Sequence, residues 1–282
     1  MALKTEVVDR VPTYPGRVRL VPVPDQTNMY DMTRADSPIA VGTPINKALF
    51  DQKAYTLTED VTVYVSTAGS DTTGDGTSSA PYATIQKAID SIPKWMDGHM
   101  ATISIANGTY EERLVIDGFQ GGILSLGSVG RTVTVRAIEV TSSSLVRLNV
   151  NITHSPSLGG TPLALRYGSN VQFGTDMVIN GSSGSVSGIM VETGSTLSSL
   201  VDLFGYMIKT TISNCKNFAI YATAGSKVAL GEVAGSGNGT GIYAADGATI
   251  TYSSRTMTAT TANVTVAGGR IYSGAQTSIP NY

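Results

Sequence analysis

The sequence predicts an all-β chain: a right-handed, single-stranded parallel β-helix with a short capping helix and a proline-rich N-terminal arm. Three observations carry this prediction. Four segments of the second half share one pattern around a glycine. Only 14% of the 282 residues are charged while 41% are hydrophobic, against about 25% charged in an average soluble domain. The low charge therefore reflects glycine and small polar residues, a mixture suited to short strands and tight turns. Finally, an amphipathic helical pattern over residues 84–92 stands just ahead of the strand-rich region.

The arm comes first, over residues 1–58. It holds six of the eleven prolines. Val18, Leu20 and Val23 suit one extended strand, which Pro22 and Pro24 keep at an edge. Thr43 as N-cap and Pro44 at the first helical position start a short helix, with Ile45, Ala48 and Leu49 on one apolar face. So small and proline-rich a region cannot hold a core alone, so it is expected to dock elsewhere.

The β-helix is expected over 59–260, with a C-terminal strand and tail over 261–282. VTVYVS alternates as a strand, and GSDTTGDGTSSAP is turn chemistry throughout. TIQKAIDSI then places Ile85, Ala88, Ile89 and Ile92 on one helix face, which Pro93 ends. ATISIANGTYEERLVI reads as strand, Asn-Gly turn and strand. Trp95, just after the helix, is expected to pack against the arm or the helix end.

The repeat follows. PLALRYGSNVQF, GIMVETGSTLSS, AIYATAGSKVAL and GIYAADGATITY align on Gly168, Gly194, Gly225 and Gly247, at spacings of 26, 31 and 22 residues. One such unit cannot bury its apolar residues alone, whereas stacked coils can. Alternation puts Leu163/Leu165, Ile189/Val191, Ile220/Ala222 and Ile242/Ala244 inside, with Val171, Leu197, Val228 and Ile250 as a second inward column. Each glycine turns the chain where φ is positive.

The segment VYVSTAGSDTTGDGTSSAPYATIQKAIDSI resembles the opening of right-handed parallel β-helix proteins of the pectin-lyase-like group. The residues that carry the likeness are Tyr64-Val65-Ser66, Gly69-Ser70-Asp71, Gly76-Thr77, Pro81-Tyr82, Thr84-Ile85 and Ala88-Ile89. The next stretch, with Gly108-Thr109-Tyr110-Glu111-Glu112 at its turn, resembles their first full coil. The likeness implies a helix that covers the open end of the stack. Gly42-Thr43-Pro44-Ile45-Asn46-Lys47-Ala48-Leu49-Phe50 is similar to a junction in bacteriophage tail and baseplate proteins, and GGRIYSGAQ (268–276) is similar more weakly. An arm ahead of a β-helix looks like a phage tail spike or tail fibre. That resemblance implies a homotrimer in the virion tail after synthesis in the bacterial cytoplasm. The arm would meet tail or baseplate proteins, and bacterial surface glycan is a candidate receptor.

The function classes narrow further. Net charge is −2 with no Lys/Arg cluster, which argues against a nucleic-acid partner. No apolar run reaches a membrane span of about 18 residues, and the N-terminus lacks the apolar core of a secretory leader. Cys215 reads as a buried small apolar residue. His99 and His154 lack metal-ligand spacing, so neither metal nor cofactor is expected. Asp71 and Asp75 suit Asx-turns and a helix lead-in better than calcium. Five Asn-X-Ser/Thr sequons, at Asn107, Asn151, Asn180, Asn238 and Asn263, read as turn composition.

Three functions stay open. The first is a structural, receptor-binding tail component. The second is a tail-borne polysaccharide depolymerase, and the third a free β-helix protein without enzyme activity. A lyase needs clustered carboxylates and a base, and a hydrolase needs paired acids. The acids Asp176, Glu192, Asp202, Glu232 and Asp246 fall in different columns, so Asp176, Asp202 and Lys209 are weak candidates that only loops could join. The outward column of Met190, Tyr221 and Tyr243 suits either a sugar or a subunit contact. Arg166 and Glu192 should pair outward on neighbouring coils.

Overall fold

The computed structural model describes residues 11–12, 18–22, 30–34, 38–40, 56–127, 130, 132–155, 157, 160–184, 186–199, 205 and 207–274. The chain divides into two compact units, residues 1–54 and 55–282. In the first, β1 (Val11–Pro12) pairs antiparallel with β4 (Pro38–Ala40), and β2 (Val18–Pro22) pairs antiparallel with β3 (Tyr30–Arg34). The expected single strand is thus half of a hairpin. The polar YDMTR partner carries no apolar alternation by which to recognise it. Thr43, Pro44, Ile45 and Leu49 lie outside the described residues.

The second unit is a parallel β-helix. Its chain passes repeatedly over three faces in a fixed order. The first face carries β5 (Val61–Val65), β6 (Met100–Ile105), β9 (Ile123–Leu126), β12 (Val146–Leu148), β15 (Asn170–Phe173) and β18 (Thr196–Ser199). It continues through the first parts of β21 (Lys227–Ala234) and β23 (Thr249–Arg255), then β25 (Arg270–Ser273). The second face carries β7 (Gly108–Thr109), β10 (Val133–Val135), β13 (Asn151–Thr153), β16 (Met177–Asn180) and β19 (Lys209–Ser213). Beyond β19 it is completed by the later parts of β21 and β23. The third is a seven-stranded sheet of β8 (Arg113–Asp117), β11 (Ala137–Thr141), β14 (Leu163–Arg166), β17 (Ile189–Val191), β20 (Phe218–Ala222), β22 (Asn238–Ala244) and β24 (Ala259–Thr265). Every pairing within this unit is parallel, coil against next coil, giving seven coils consistent with a pectin-lyase-like fold. Strand twist favours right-handed connections.

The register follows the apolar columns. Leu163 faces Ile189, Ile189 faces Ile220 and Ile220 faces Ile242, while Leu165, Val191, Ala222 and Ala244 form the parallel row two residues on. On the first face the column runs Ala101, Leu124, Val146, Val171, Leu197, Val228, Ile250 and Ile271. All of these are buried except Ile271, which is partly so. Each fully buried aliphatic side chain contributes roughly 1.5–3 kcal/mol. A slip of one residue would turn a whole column outward.

The corner between the third and first faces fixes that register. Tyr167-Gly168, Thr193-Gly194, Ala224-Gly225, Asp246-Gly247 and Ala267-Gly268 each place two successive residues at positive φ. In the second to fifth of these pairs the turn is closed by an i to i+3 bond, such as Ala248 N–H to Ala245 O at 2.9 Å. This is type I′ geometry, whose twist suits the strands it joins. The glycines stack, since Gly168, Gly194 and Gly225 donate to Thr193, Ala224 and Asp246 carbonyls of the next corner at 2.9–3.0 Å. A Cβ at Gly194 would meet nothing within 4 Å, so backbone angle alone demands glycine there. The residue after each of the first three glycines is a buried serine, and Ser143 extends the column N-terminally. Ser169 Oγ donates to Arg166 O at 2.6 Å.

Asparagines stitch other corners. Asn107 and Asn151 accept from the Thr132 and Val178 N–H groups of the following coil. Buried Asn238 accepts from Cys215 N–H and donates to Ile212 O.

The helix α1 (Ile85–Ser91) packs against β5, β6 and β8 at the N-terminal end of the stack, burying Ile85, Ala88, Ile89 and the following Ile92. Its free N–H groups are all met nearby. Asp71 accepts from Ala83 and Thr84, Glu112 accepts from Ile85 and Gln86, and Thr84 Oγ1 accepts from Lys87. Burial alone would raise the Asp71 carboxyl. The Thr84 hydroxyl, the two N–H groups and Lys87 outweigh that and hold it below its ordinary value. Asp75 accepts from Thr77 N–H and hydroxyl, an Asx-turn. Ile92 ends the helix in extended conformation, as a residue before proline prefers.

Both expected boundaries of the β-helix shift. Leu57 is buried in its core and donates to Trp95 O at 2.8 Å, so the unit starts before residue 59. At the other end β24 and β25 continue the stack past 260. Asn263 and Thr265 occupy columns filled below by Ile242 and Ala244, and this polar finish hides the last coil from an apolar pattern. Within GGRIYSGAQ, Gly268 accordingly belongs to the fifth corner and Arg270–Ser273 forms β25. Trp95 forms backbone bridges to Thr56 and Gln120, and its indole lies over Gly121 with the residue 52% exposed.

Two contrasts test these forces. Gly194→Ala should cost about 1–2 kcal/mol through φ alone. Gly235→Ala should cost roughly 3 kcal/mol or more, because its Cβ would sit 1.8 Å from Ile212 O. Denaturant unfolding midpoints separate the two. Ile89→Asp buries an unpaired charge under the cap and should cost more than about 3 kcal/mol, read as insoluble or early-melting protein.

Candidate functional site

The outward side of the third face is the candidate site. Its outward column reads Val115, Glu139, Ala164, Met190, Tyr221, Tyr243 and Val264 in consecutive coils. The neighbouring column reads Asp117, Thr141, Arg166 and, one residue beyond β17, Glu192. The face therefore has a charged half and an aromatic half.

The charged half is an alternating ladder. Arg113 Nη2 lies 2.6 Å from Glu139 Oε2, Glu139 also pairs with Arg166, and Arg166 Nε lies 3.0 Å from Glu192 Oε2. The expected Arg166–Glu192 pair is present as the last link of four coils. Burial disfavours the Arg166 charge, but Glu192 and Glu139 outweigh it and push its pKa up. An isolated exposed pair contributes only about 0–1 kcal/mol. A network sharing Glu139 and Arg166 orders four side chains at once. Arg113 and Glu139 escaped the sequence reading because they lie ahead of the glycine-centred repeat.

The aromatic half is a stack. The Tyr221 and Tyr243 rings lie 5.2 Å apart and within 10° of parallel. Phe218 tilts against both, with centroids 5.3 Å from Tyr221 and 4.8 Å from Tyr243. Strict alternation would send Phe218 inward, since it lies three residues before Tyr221. Ala219 and Ile220 are both buried, so alternation breaks there and Phe218 joins the outward cluster. Burial first, then Glu192 and Tyr243, raise the Tyr221 phenol pKa and keep it neutral. Thr223 Oγ1 donates to Asp246 Oδ2 at 2.7 Å beside the stack. The tyrosines cover one another's ring faces, with Met190 and Val264 on the adjoining rungs. The strip therefore turns its flank, not an open ring face, outward, a geometry that suits a protein surface better than a sugar.

The weak catalytic candidates are partly brought together. Asp176 Oδ1 accepts from Lys209 N–H at 2.8 Å, and Lys209 Nζ lies 2.9 Å from Glu232 Oε1. Glu232 above all, with Asp176 adding, raises the Lys209 pKa, so the amine stays charged at neutral pH and is a poor base. Asp202 lies outside the described residues. Cys215 is fully buried and its thiol is pushed by burial up to about 11, the behaviour of a small apolar residue. Among the described residues, no three His, Cys, Asp or Glu side chains gather closely enough to hold a metal ion.

The chain matches no protein-family model, no curated protein and no solved structure.

A double-mutant cycle of Tyr221→Ala and Tyr243→Ala should give a coupling of about 0.5–1.5 kcal/mol in unfolding free energy. A value near zero would mean that the rings do not stack in solution.

Proposed function

We propose that this chain is a structural and surface-binding component of a phage or phage-like tail, a spike or fibre subunit that works as a homotrimer. The observation that carries the proposal is the half-buried band of Met190, Phe218, Tyr221 and Tyr243 along one flank of a rigid stack. Tyrosine, phenylalanine and methionine are enriched at subunit contacts. A band running along the coils suits side-by-side packing of β-helices, and obligate interfaces of that kind bury more than about 2,000 Å². The separate first unit supports the reading, because the chain divides at residues 54/55 into an arm with its own strand pairing and a solenoid. On this proposal the arm attaches to tail or baseplate proteins, and the β-helix projects in the virion toward bacterial surface glycan.

Light scattering of the full chain tests the assembly. Three copies of a 29.3 kDa chain are expected, with Tyr221→Asp/Tyr243→Asp lowering the mass toward one copy while the circular dichroism of the fold persists. A monomer at every concentration would overturn the trimer. Incubation with host surface polysaccharide should leave its chains uncut. New reducing or unsaturated ends would instead establish a depolymerase.

A further inference from the structure

One histidine is sealed inside the stack. His154 follows β13 and is only 3% exposed, and its Nδ1 is buried without a hydrogen-bond partner. Its backbone bolts two coils together. The His154 N–H donates to Asn180 O at 2.8 Å, and its carbonyl accepts from Ser182 Oγ at 2.7 Å.

What it bolts is strained. Ser182 and Ser183 sit at φ 52° and 60°. This turn places two non-glycine residues in the left-handed region, at about 1–2 kcal/mol each. Asn180 Oδ1 holds Ser182 N–H at 2.9 Å, and Asn214 O holds Ser183 N–H at 2.9 Å. The His154 carbonyl bond ties Ser182 to the preceding coil, and the turn lies against the imidazole itself, since a Cβ at Gly184 would sit 3.9 Å from His154 Cδ2.

The surroundings disfavour a positive imidazole. From the coil before, Arg136 Nη1 donates to Thr153 O at 3.2 Å, and its charge is already matched by Glu111. From the coils beyond come Lys216, whose N–H reaches Gly184 O, and the neutral buried thiol of Cys215. No hydrogen bond or ion pair among the described residues brings a carboxylate to the ring.

We propose that His154 is an acid-released latch, whose protonation frees the strained 181–184 turn from the stack while the inner columns stay closed. The proton is the ligand, and opening lets water reach the ring. The sign follows from burial, which holds the imidazole below its ordinary value of 6.5 while closed. The open form takes up a proton near that ordinary value. The closed state is therefore favoured above pH 6.5 and loses ground as pH falls toward the lowered value. Opening therefore rises between pH 7 and pH 5, by at most about twenty-five-fold, the limit in which the closed ring takes up no proton.

Hydrogen–deuterium exchange on the full chain tests this. After correction for intrinsic rates, amides of 181–184 should open several-fold more at pH 5 than at pH 7, up to about twenty-five-fold, with 163–166 and 189–191 unchanged. His154→Leu should abolish the dependence. An equal rise in the variant, no rise in the wild type, or loss of protection in all three segments together would overturn the latch. The His154 ring resonances of the wild type supply a readout that does not depend on the variant folding. A midpoint below that of a free histidine is expected, and one at or above 6.5 would overturn the proposal.

Discussion

A coil of about two dozen residues cannot enclose its own apolar side chains, and every other feature of the β-helix answers to that constraint. Burial is available only against the coil before and the coil after. The inward positions of successive coils must therefore fall in line, as Ala101 through Ile271 do on the first face. Parallel pairing is the form that alignment takes. The two ends are solved differently. Helix α1 covers the first coil with Ile85, Ala88 and Ile89, whereas the last described coil turns polar at Asn263 and Thr265.

Keeping the columns aligned requires corners of constant geometry, while loop lengths elsewhere vary. The type I′ turns between the third and first faces provide this. Five stacked pairs of left-handed residues pass the chain from one face to the next without changing which side chains point inward. Between the repeat glycines, the stretches that separate β16 from β17 and β18 from β19 take up the extra length. The repeat spacing varies while the pattern around each glycine does not.

The outer surface uses its few charges between coils rather than scattering them. The Arg113–Glu139–Arg166–Glu192 ladder, the Lys209–Glu232 pair and the Arg136–Glu111 pair each join different coils. Where the ladder on the third face ends, the aromatic stack begins on the next coils, so one flank is divided lengthwise between ionic and apolar contacts. That division makes this flank the best candidate for a partner. The same economy of charge leaves His154 without a counter-ion among the described residues.

The glycine-centred repeat alone determined the coil register, the inward columns, the outward Met190–Tyr221–Tyr243 series and the Arg166–Glu192 contact. Each follows from a period of two within a strand and from one glycine per corner, both local properties. The helix over Ile85–Ser91 was legible for the same reason, in its spacing and in Pro93. Only the tertiary structure decided the rest. The last coil was hidden because polar residues stand in its inward columns. Phe218 joined the tyrosines because alternation fails at Ala219–Ile220, a backbone irregularity that composition does not encode. Glu112 reaches the helix start, and Asp176 meets Lys209, across gaps of 26 to 33 residues. Such meetings depend on how far each loop carries the chain around the stack, and loop length is the one quantity that the repeat leaves free.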